Sequence, residues 1–433
     1  MLQARTKRNA PLGALLAIGL LALSAAPAWA KSVVFLSTQL RPLEEAQLLR
    51  SVILKGFTPG ATVVPEVPPQ LPIHMQADAK SGTHTISAVG ALHGELEPLA
   101  GMGLLRPLDT LAASLKGRGI PAKLMRLGRL GTAHQMYIPW MQATYIMVAN
   151  RKALPYLPPG AKLDSLSYAQ FAQWAANIKA KTGRRALGFP AGPKGLMARF
   201  FEGYLYPSFT GGVVTPFRSP QAAQMWAYFA KLWKDVDPNS TNYGFMQEPL
   251  LAGSVWIAFD HVARVIDALK QHPHQFIAFP PPAGPKGRGY MPVIVGLAIA
   301  KDAPDPAGAA GLITWLTRPS VQIRTAQSVG FFPVVKAKLP ADLPAGIRLE
   351  ADAIAKTQAA PDALPTLLPV GLGNKDGDFN KVYMDTFQLI VLRHRKIMPV
   401  LDAEAKKLRR LMAQTKAPCW APDAPSQGAC PVN

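Results

Sequence analysis

The chain has little cysteine and little acidic charge. Two cysteines occur among 433 residues, too few for a dense disulfide framework or a cysteine-rich metal centre. Aspartate and glutamate number 26 against 47 lysines and arginines, which gives a formal net charge of +21. The basic residues are dispersed except for dense runs at 393–396 and 406–410, which we interpret as solvated helix surface. The excess charge leaves an anionic ligand or partner open.

The chain also lacks the common motifs of catalysis. It contains no G-x-S-x-G, no H-E-x-x-H, no G-x-x-x-x-G-K-[ST] and no G-x-G-x-x-G after a strand. His272 and His274 flank a proline without a neighbouring carboxylate, and acidic pairs such as Glu95 with Glu97 are typical of solvated surfaces. We therefore predict a protein that is not an enzyme, with no catalytic residue, metal site or cofactor. A reaction centre built from dispersed residues stays open.

Beyond the N-terminus, the sequence lacks apolar stretches long enough to span a bilayer. Basic residues precede an apolar run over 12–26, and small residues surround a cleavage position after Ala30. This pattern predicts a signal peptide over 1–30 and therefore export. The apolar run is shorter than the roughly 20 residues of a membrane span, and the residue after Ala30 is not the cysteine of a lipid anchor. An uncleaved N-terminal anchor is the alternative.

Short apolar runs alternate with helical patterns along the remainder of the chain. A strand over 32–37, a helix over 43–54 and a strand over 61–65 predict a parallel βαβ unit. Further strand-like runs lie at 145–149, 255–259, 275–279 and 294–300. The alternation favours α/β lobes with mainly parallel sheets.

Capping residues mark several helix starts. Ser167 stands in a capping box, and Ser219 and Asp305 each precede a proline that suits the first helical position. A long helical region is expected over 379–414, bent or broken near Pro399. These local signals predict the helices that separate the strand-like runs.

The two cysteines, Cys419 and Cys430, are predicted to form a disulfide. In an oxidising compartment, an even pair this close in sequence is typical of a disulfide. The bond would close the Pro-rich tail over 416–433 and add roughly 3 kcal/mol of stability on chain-entropy grounds. We expect this stabilisation to be local, with few contacts depending on the tail.

Six segments follow one another in a distinctive order, namely 97–109 (EPLAGMGLLRPLD), 137–154 (YIPW to NRKAL), 167–171 (SYAQF), 280–287 (PPPAGPKG), 297–310 (LAIA to DPAGAA) and 330–334 (GFFPV). Together they resemble the extracellular solute-binding proteins of ABC importers. The resemblance is closest to the sugar-binding family that includes maltose-binding proteins.

This resemblance implies a two-lobed α/β fold of the periplasmic-binding-protein type, with crossing segments between the lobes and the ligand in the cleft. The expected N-terminal lobe comprises 31–140 with about 295–332, and the C-terminal lobe comprises 141–294 with about 333–415. The implied function is that of a monomeric receptor that binds a carbohydrate or related polyol and delivers it to permease subunits in the inner membrane. Without a lipid anchor, it is expected in a Gram-negative periplasm.

The resemblance also implies candidate ligand contacts, which are Thr38, Gln39, Trp140, Gln142, Tyr204, Tyr206, Trp256, Asp260, Phe331 and Phe332. For each aromatic residue, plain core packing stays open, and Asp260 has His261 or Arg264 as alternative partners.

The sequence departs from the family pattern in ways that bear on the ligand. Ser81 and Gly82 are followed by 83–86 without the usual Pro-Asp, and 291–296 replaces a glycine pair. Carboxylates that bond sugar hydroxyls are therefore sparse, which leaves a phosphorylated or acidic solute open. Two further hypotheses also stay open, namely a sensory or interaction protein that signals to a membrane partner and an exported hydrolase. Because the chain is predicted to be exported, we expect no nucleic-acid partner.

Overall fold

Two β-sheets, each covered by helices, organise the chain. The structure is a computed structural model that describes residues 32–40 and 43–433, and the predicted signal peptide over 1–30 lies outside them. Ser32–Asn433 forms one compact unit. None of the helices in this described part combines the length and hydrophobicity of a membrane span.

The strands are β1 (Val33–Ser37), β2 (Ala61–Pro65), β3 (Ala88–Leu92), β4 (Ile138–Ala143), β5 (Tyr145–Asn150), β6 (Leu187–Gly188), β7 (Ile257–His261), β8 (Phe276–Phe279), β9 (Arg288–Tyr290), β10 (Val293–Ile299), β11 (Phe332–Pro333) and β12 (Ala363–Pro365). The first large sheet has the order β11-β4-β10-β3-β1-β2 and the second β6-β7-β5-β8, while β12 and β9 form a third sheet of two strands. We call the two large sheets with their helices the first and second lobes.

The helices of the first half are α1 (Leu43–Leu48), α2 (Leu71–Ser81), α3 (His93–Gly101), α4 (Asp109–Ser114), α5 (Ala122–Leu127), α6 (Tyr168–Thr182), α7 (Met197–Phe200) and α8 (Tyr206–Thr210). Those of the second half are α9 (Pro220–Leu232), α10 (Gln247–Leu251), α11 (Ile266–Gln271), α12 (Pro306–Leu316), α13 (Pro319–Val329), α14 (Ala345–Ala359), α15 (Asp376–Phe387) and α16 (Ile397–Thr415). Single π-helical turns follow α1, α7 and α15.

The two-lobed α/β architecture is as predicted, but the sheets are mixed rather than mainly parallel. β1 is parallel to β2 and β3, whereas β10 is antiparallel to both β3 and β4. In the second lobe β5 is antiparallel to β7 and β8. The reason is that β4 runs toward the crossing between the lobes, while β10 enters the first sheet from that crossing.

The predicted helix starts agree with the structure, since Ser167 and Ser219 accept the N–H groups of Gln170 and Ala222 at 3.2 and 3.1 Å. Asp305 accepts the N–H of Gly308 at 2.7 Å. The long helical region is broken near Pro399 as predicted, at 393–396, directly before α16. Pro399 itself lies in the first turn of α16, which tolerates a proline because that turn's N–H groups need no helical acceptor.

The lobes are joined by three adjacent crossings, which lie at Thr144, at 291–292 and directly after β11, and hydrogen bonds link them. Thr144 alone separates β4 from β5, so the change of sheet falls there, beyond the lobe boundary expected at 140. Its hydroxyl donates to the carbonyl of Met291, between β9 and β10, at 2.9 Å. The Gln142 amide donates to the carbonyl of Pro333 in β11 at 2.9 Å. The crossings therefore act as one braced connection.

The predicted disulfide between Cys419 and Cys430 is present, with a Cα–Cα distance of 4.6 Å. The expectation that few contacts depend on the tail was wrong. The Asp423 carboxylate accepts the N–H groups of Val213, Val214 and Thr215 at 2.7 to 3.0 Å. These bonds attach the tail to the second lobe because they satisfy three consecutive backbone donors.

Replacing Tyr204 by phenylalanine should destabilise the protein by about 1–3 kcal/mol, because the buried Tyr145 N–H then loses its acceptor. The Tyr204 hydroxyl accepts that N–H at 3.0 Å. Urea unfolding measures the loss, and hydrogen exchange should show faster exchange of the Tyr145 amide. The matched variant Tyr206→Phe, whose hydroxyl lies within the second lobe against Phe217 and Trp226, should leave that amide unchanged. Equal protection of the Tyr145 amide in both variants would contradict the role of the Tyr204 hydroxyl as the acceptor of this N–H.

Candidate functional site

The first lobe presents a hydrogen-bonded polar cluster where β1 and β3 end. Thr38 and Gln39 follow β1, and Glu95 lies in the first turn of α3, directly after β3. The Thr38 hydroxyl donates to the Glu95 carboxylate at 2.6 Å and accepts from the Gln39 amide at 3.1 Å. The Leu92 N–H also donates to Glu95 at 2.9 Å. Adjacent parallel strands end at one sheet edge, where α/β proteins commonly bind ligands.

The facing part of the second lobe carries a linked set of charges. The Arg199 guanidinium, in α7, bonds Glu202 at 2.8 Å and Asp376, the first residue of α15, at 3.0 Å. The Asn380 amide donates to the same Asp376 oxygen at 3.1 Å. Burial raises the pKa of Glu202 to about 8, against the opposing effect of Arg199. Burial disfavours the Arg199 charge, but Asp376 and Glu202 hold its pKa above the ordinary value.

A cavity of about 280 Å³ lies between these two groups of residues. The first lobe contributes Pro68, Pro69, Pro72, Leu92, Gly94, Glu95 and Pro98. The second lobe contributes Arg199, Leu368, Pro369, Leu372, Gly373, Asn374, Asp376 and Gly377. The cavity is therefore an interlobe cleft, with one side formed by the first lobe and the opposite side by the second.

The lobes touch at the edge of this cavity. A Cβ atom on Gly94 would lie 2.2 Å from the carbonyl oxygen of Pro369, so a residue larger than glycine would force the two backbones apart. Close by, burial raises the pKa of the Glu97 carboxyl, although a backbone hydrogen bond from Gly371 opposes this. The edge of the cleft thus depends on close backbone approach between the lobes.

The cavity lining combines apolar walls with a few polar groups. Proline and leucine side chains form most of the surface, and Glu95, Asn374, Asp376 and Arg199 supply acceptors and donors. Among the residues that the structure describes, no aromatic ring lines the cavity, so stacking on a sugar face is not available there. In the described ranges, no group of histidine, cysteine and acidic residues is arranged to hold a metal ion.

Of the ten residues predicted as ligand contacts, Thr38 bonds Glu95, which lines the cavity, and Gln39 bonds Thr38. Neither Thr38 nor Gln39 lines the cavity itself, and their ligand roles stay predictions. Trp140 is fully buried in β4, with its ring 5.8 Å from that of Phe35. Gln142 bonds Pro333, and Phe332 lies opposite Gln142 where β11 pairs with β4. Phe331 packs beside His261 at 5.9 Å. The ligand roles of Trp140, Gln142, Phe331 and Phe332 stay predictions, and none of the four lines the cavity.

The remaining four candidates lie in the second lobe away from the cavity lining. Tyr204 and Tyr206 are fully buried, the former beneath the crossing. Trp256 precedes β7 at the end farthest from the crossing, with the Lys152 ammonium 4.5 Å from its ring centre. Asp260 is buried and accepts the N–H groups of Met246 and His261 at 3.0 and 2.8 Å. Their ligand roles also stay predictions.

Sequence reasoning did not single out most of the cavity's polar residues. Glu95 stood in an acidic pair that is typical of solvated surfaces, although its place directly after β3 was a usable signal. Arg199 and Asp376 are 177 residues apart and carry no local pattern. Their meeting depends on the packing of α7 against α15, which the sequence does not reveal by spacing.

A two-lobed fold with a cavity between the lobes is common among proteins that bind solutes. Residues 55–323 match the model of the bacterial extracellular solute-binding proteins, and the chain belongs to that family, which binds solutes and is not enzymatic. A search of curated proteins finds no significant match.

Solved structures show the same fold at low sequence identity. Maltose-bound MalE3 of T. maritima is 16% identical, with a TM-score of 0.69 over 88% of this chain and 99% of its own. UgpB of Mycobacterium tuberculosis, in complex with glycerophosphocholine, has 16% identity and a TM-score of 0.69 over 88% and 98%. MalE of Xanthomonas citri has 15% identity and a TM-score of 0.69 over 88% and 98%.

The buried Asp260 should make stability depend on pH. Burial raises the pKa of Asp260 to about 7, although Arg264 and the N–H groups of His261 and Met246 oppose this. Such a carboxyl stabilises the fold most below its unfolded pKa, and the contribution is lost as pH rises through the folded value. The stability advantage of the wild type over Asp260→Asn should therefore be largest near about pH 4 and smallest near about pH 8.

Urea unfolding over this pH series measures the difference, with the exposed Asp164→Asn as the control variant. If the stability advantage of the wild type over Asp260→Asn grew with pH, it would contradict the raised pKa of Asp260. His261, whose pKa burial lowers to about 3, is present in both proteins, and its own titration largely cancels in the comparison.

Proposed function

We propose that this receptor binds a small, uncharged, hydroxyl-rich solute, such as a monosaccharide or polyol, in the interlobe cleft. The observation that carries the proposal is the cavity between Glu95 on the first lobe and Arg199, Asn374 and Asp376 on the second. Carboxylate, amide and guanidinium groups accept from and donate to hydroxyls, while the proline and leucine walls suit C–H faces. This geometry supports binding of a solute that contacts both lobes at once.

The size of the cavity favours a small solute. Its volume of about 280 Å³ is near the lower end of ligand pockets, which are roughly 300–1,000 Å³. Maltose is bound in the MalE3 structure and glycerophosphocholine in the UgpB structure. A single sugar ring or a polyol fits the present cleft better than a long oligosaccharide.

The charge of the cavity favours a neutral solute over a phosphorylated or acidic one. Arg199 is the cation among the described residues that line the cavity, and it is already bonded to Glu202 and Asp376. Glu95 adds negative charge on the opposite side. An anionic solute would have to displace these bonds, and it would be repelled by Glu95 and Asp376. The net charge of +21 therefore does not make the cleft itself suited to an anion.

Delivery to an ABC importer permease follows from the solute-binding role. In this proposal the two lobes enclose the solute, and the enclosed form docks on permease subunits in the inner membrane. Such rigid-body closure about crossing segments is a common motion of two-lobed binding proteins. The periplasm is the location that this role requires.

A thermal-shift screen tests the proposal. D-glucose, D-galactose, glycerol and sorbitol should include at least one solute that raises the melting temperature, while glucose 6-phosphate and citrate should not, because a bound ligand stabilises the folded state. Calorimetry with the best neutral solute should then show Glu95→Gln weakening binding by about tenfold or more, since hydrogen bonds to charged groups contribute about 1.5–3 kcal/mol.

The control variant is Asp164→Asn, which removes an exposed carboxylate paired with Lys356 and should leave affinity unchanged. A shift by the phosphorylated or acidic solutes alone would overturn the choice of a neutral solute. An affinity that is equal in wild type and Glu95→Gln would overturn the proposed site.

A further inference from the structure

The second lobe meets the first at an extended segment, 366–373, which we call the cleft wall. It connects β12 to the start of α15. Leu368, Pro369 and Leu372 line the cavity. The Pro369 carbonyl is the atom that meets Gly94 of the first lobe. The position of the cleft wall therefore sets both the shape of the cavity and the contact between the lobes.

The tail over 416–433 lies directly behind the cleft wall. The Leu367 N–H donates to the carbonyl of Ala421 at 3.0 Å. A Cβ atom on Gly371 would lie 3.1 Å from Pro418 and 3.3 Å from Ala417. On its β12 side the wall is held by the Thr366 N–H, which donates to Tyr290 at 2.8 Å. The tail supplies the backing for the part that faces the first lobe.

The tail is itself held in one shape by several independent contacts. Its disulfide joins Cys419 to Cys430, and the Cys430 N–H donates to Ala417 at 2.8 Å. Asp423 is buried and bonded to the backbone of 213–215. Trp420 packs on Phe379 of α15, with ring centres 5.3 Å apart. These contacts place the residues that back the wall, Ala417 to Ala421, inside or beside the disulfide-closed loop.

We propose that the disulfide-closed tail is a positioning element for solute binding, because it holds the cleft wall in the arrangement that meets the first lobe. This inference rests on the proposed function of the cleft. A wall without backing would spend part of its time displaced, and apparent affinity falls in proportion to the fraction of molecules in the competent arrangement. The two cysteines, which do not line the cavity, would then act on affinity through the wall.

Hydrogen exchange of the full chain tests the positioning without any solute. In the double variant Cys419→Ser/Cys430→Ser, the wall amide of Leu367, which donates to Ala421 of the tail, should exchange about tenfold faster or more, as expected for local opening. Ser167→Ala, which removes the cap of α6 and lowers stability elsewhere, should leave this amide unchanged. Unchanged wall exchange in the cysteine variant overturns the proposal, whatever the solute proves to be.

Calorimetry then tests the consequence for binding, with the tightest binder among D-glucose, D-galactose, glycerol and sorbitol as the probe. The cysteine variant should bind about tenfold more weakly or worse at a temperature at which it remains folded, while Ser167→Ala binds as the wild type does. A purely structural tail would lower the melting temperature of the cysteine variant and leave its affinity unchanged, which overturns the proposal. If the wild type binds none of these probes, the proposed solute class fails, while the exchange result still decides the role of the tail.

A second variant covers the case in which the cysteine variant does not fold. Gly371→Ala keeps the disulfide but pushes a methyl group against Ala417 and Pro418. The φ of Gly371 is 75°, a left-handed value that favours glycine, so the added methyl group also strains the wall itself. This variant should reproduce the faster wall exchange and the weaker binding. Wild-type exchange and affinity in Gly371→Ala overturn the proposal.

Discussion

The structure depends on the crossing at Thr144. One residue separates β4 from β5, so the chain changes sheet without a loop that could bend freely. The Thr144 hydroxyl bonds Met291 in the second crossing, and Gln142 bonds Pro333 in the third. Because the crossings are tied together, the edge where β1 and β3 end is held facing the second lobe. The cleft exists because this connection fixes which surfaces oppose each other.

The cleft differs in character from the chain as a whole. The protein is strongly basic, but the charges in its cavity are balanced. Glu95 lines one side, and Arg199 on the other side is already paired with Glu202 and Asp376. Excess charge on the surface and balanced charge in the cleft are compatible, since solvent and salt screen charges separated by more than about 10 Å. The tail that contacts the cleft wall from behind is closed by the disulfide between Cys419 and Cys430.

Local signals in the sequence predicted local structure well. The caps at Ser167, Ser219 and Asp305 were recognisable because each cap depends on neighbouring residues. The disulfide was predictable because the chain contains only two cysteines and they are close in sequence. Strand direction was not predictable in this way, because the orientation of β10 depends on its return through the crossing. The position of Thr38 after β1 was predictable, although it does not line the cavity and meets it through its bond to Glu95. The meeting of Arg199 and Asp376 was not predictable, since the packing of two distant helices brings them together.

A crystal structure of the protein purified with its natural solute would show whether the solute lies between the lobes. We expect a single small neutral solute in the interlobe cavity, hydrogen-bonded to Glu95 of the first lobe and to Asn374 or Asp376 of the second. A solute bound to one lobe alone, or at the distant Trp256, would contradict this expectation.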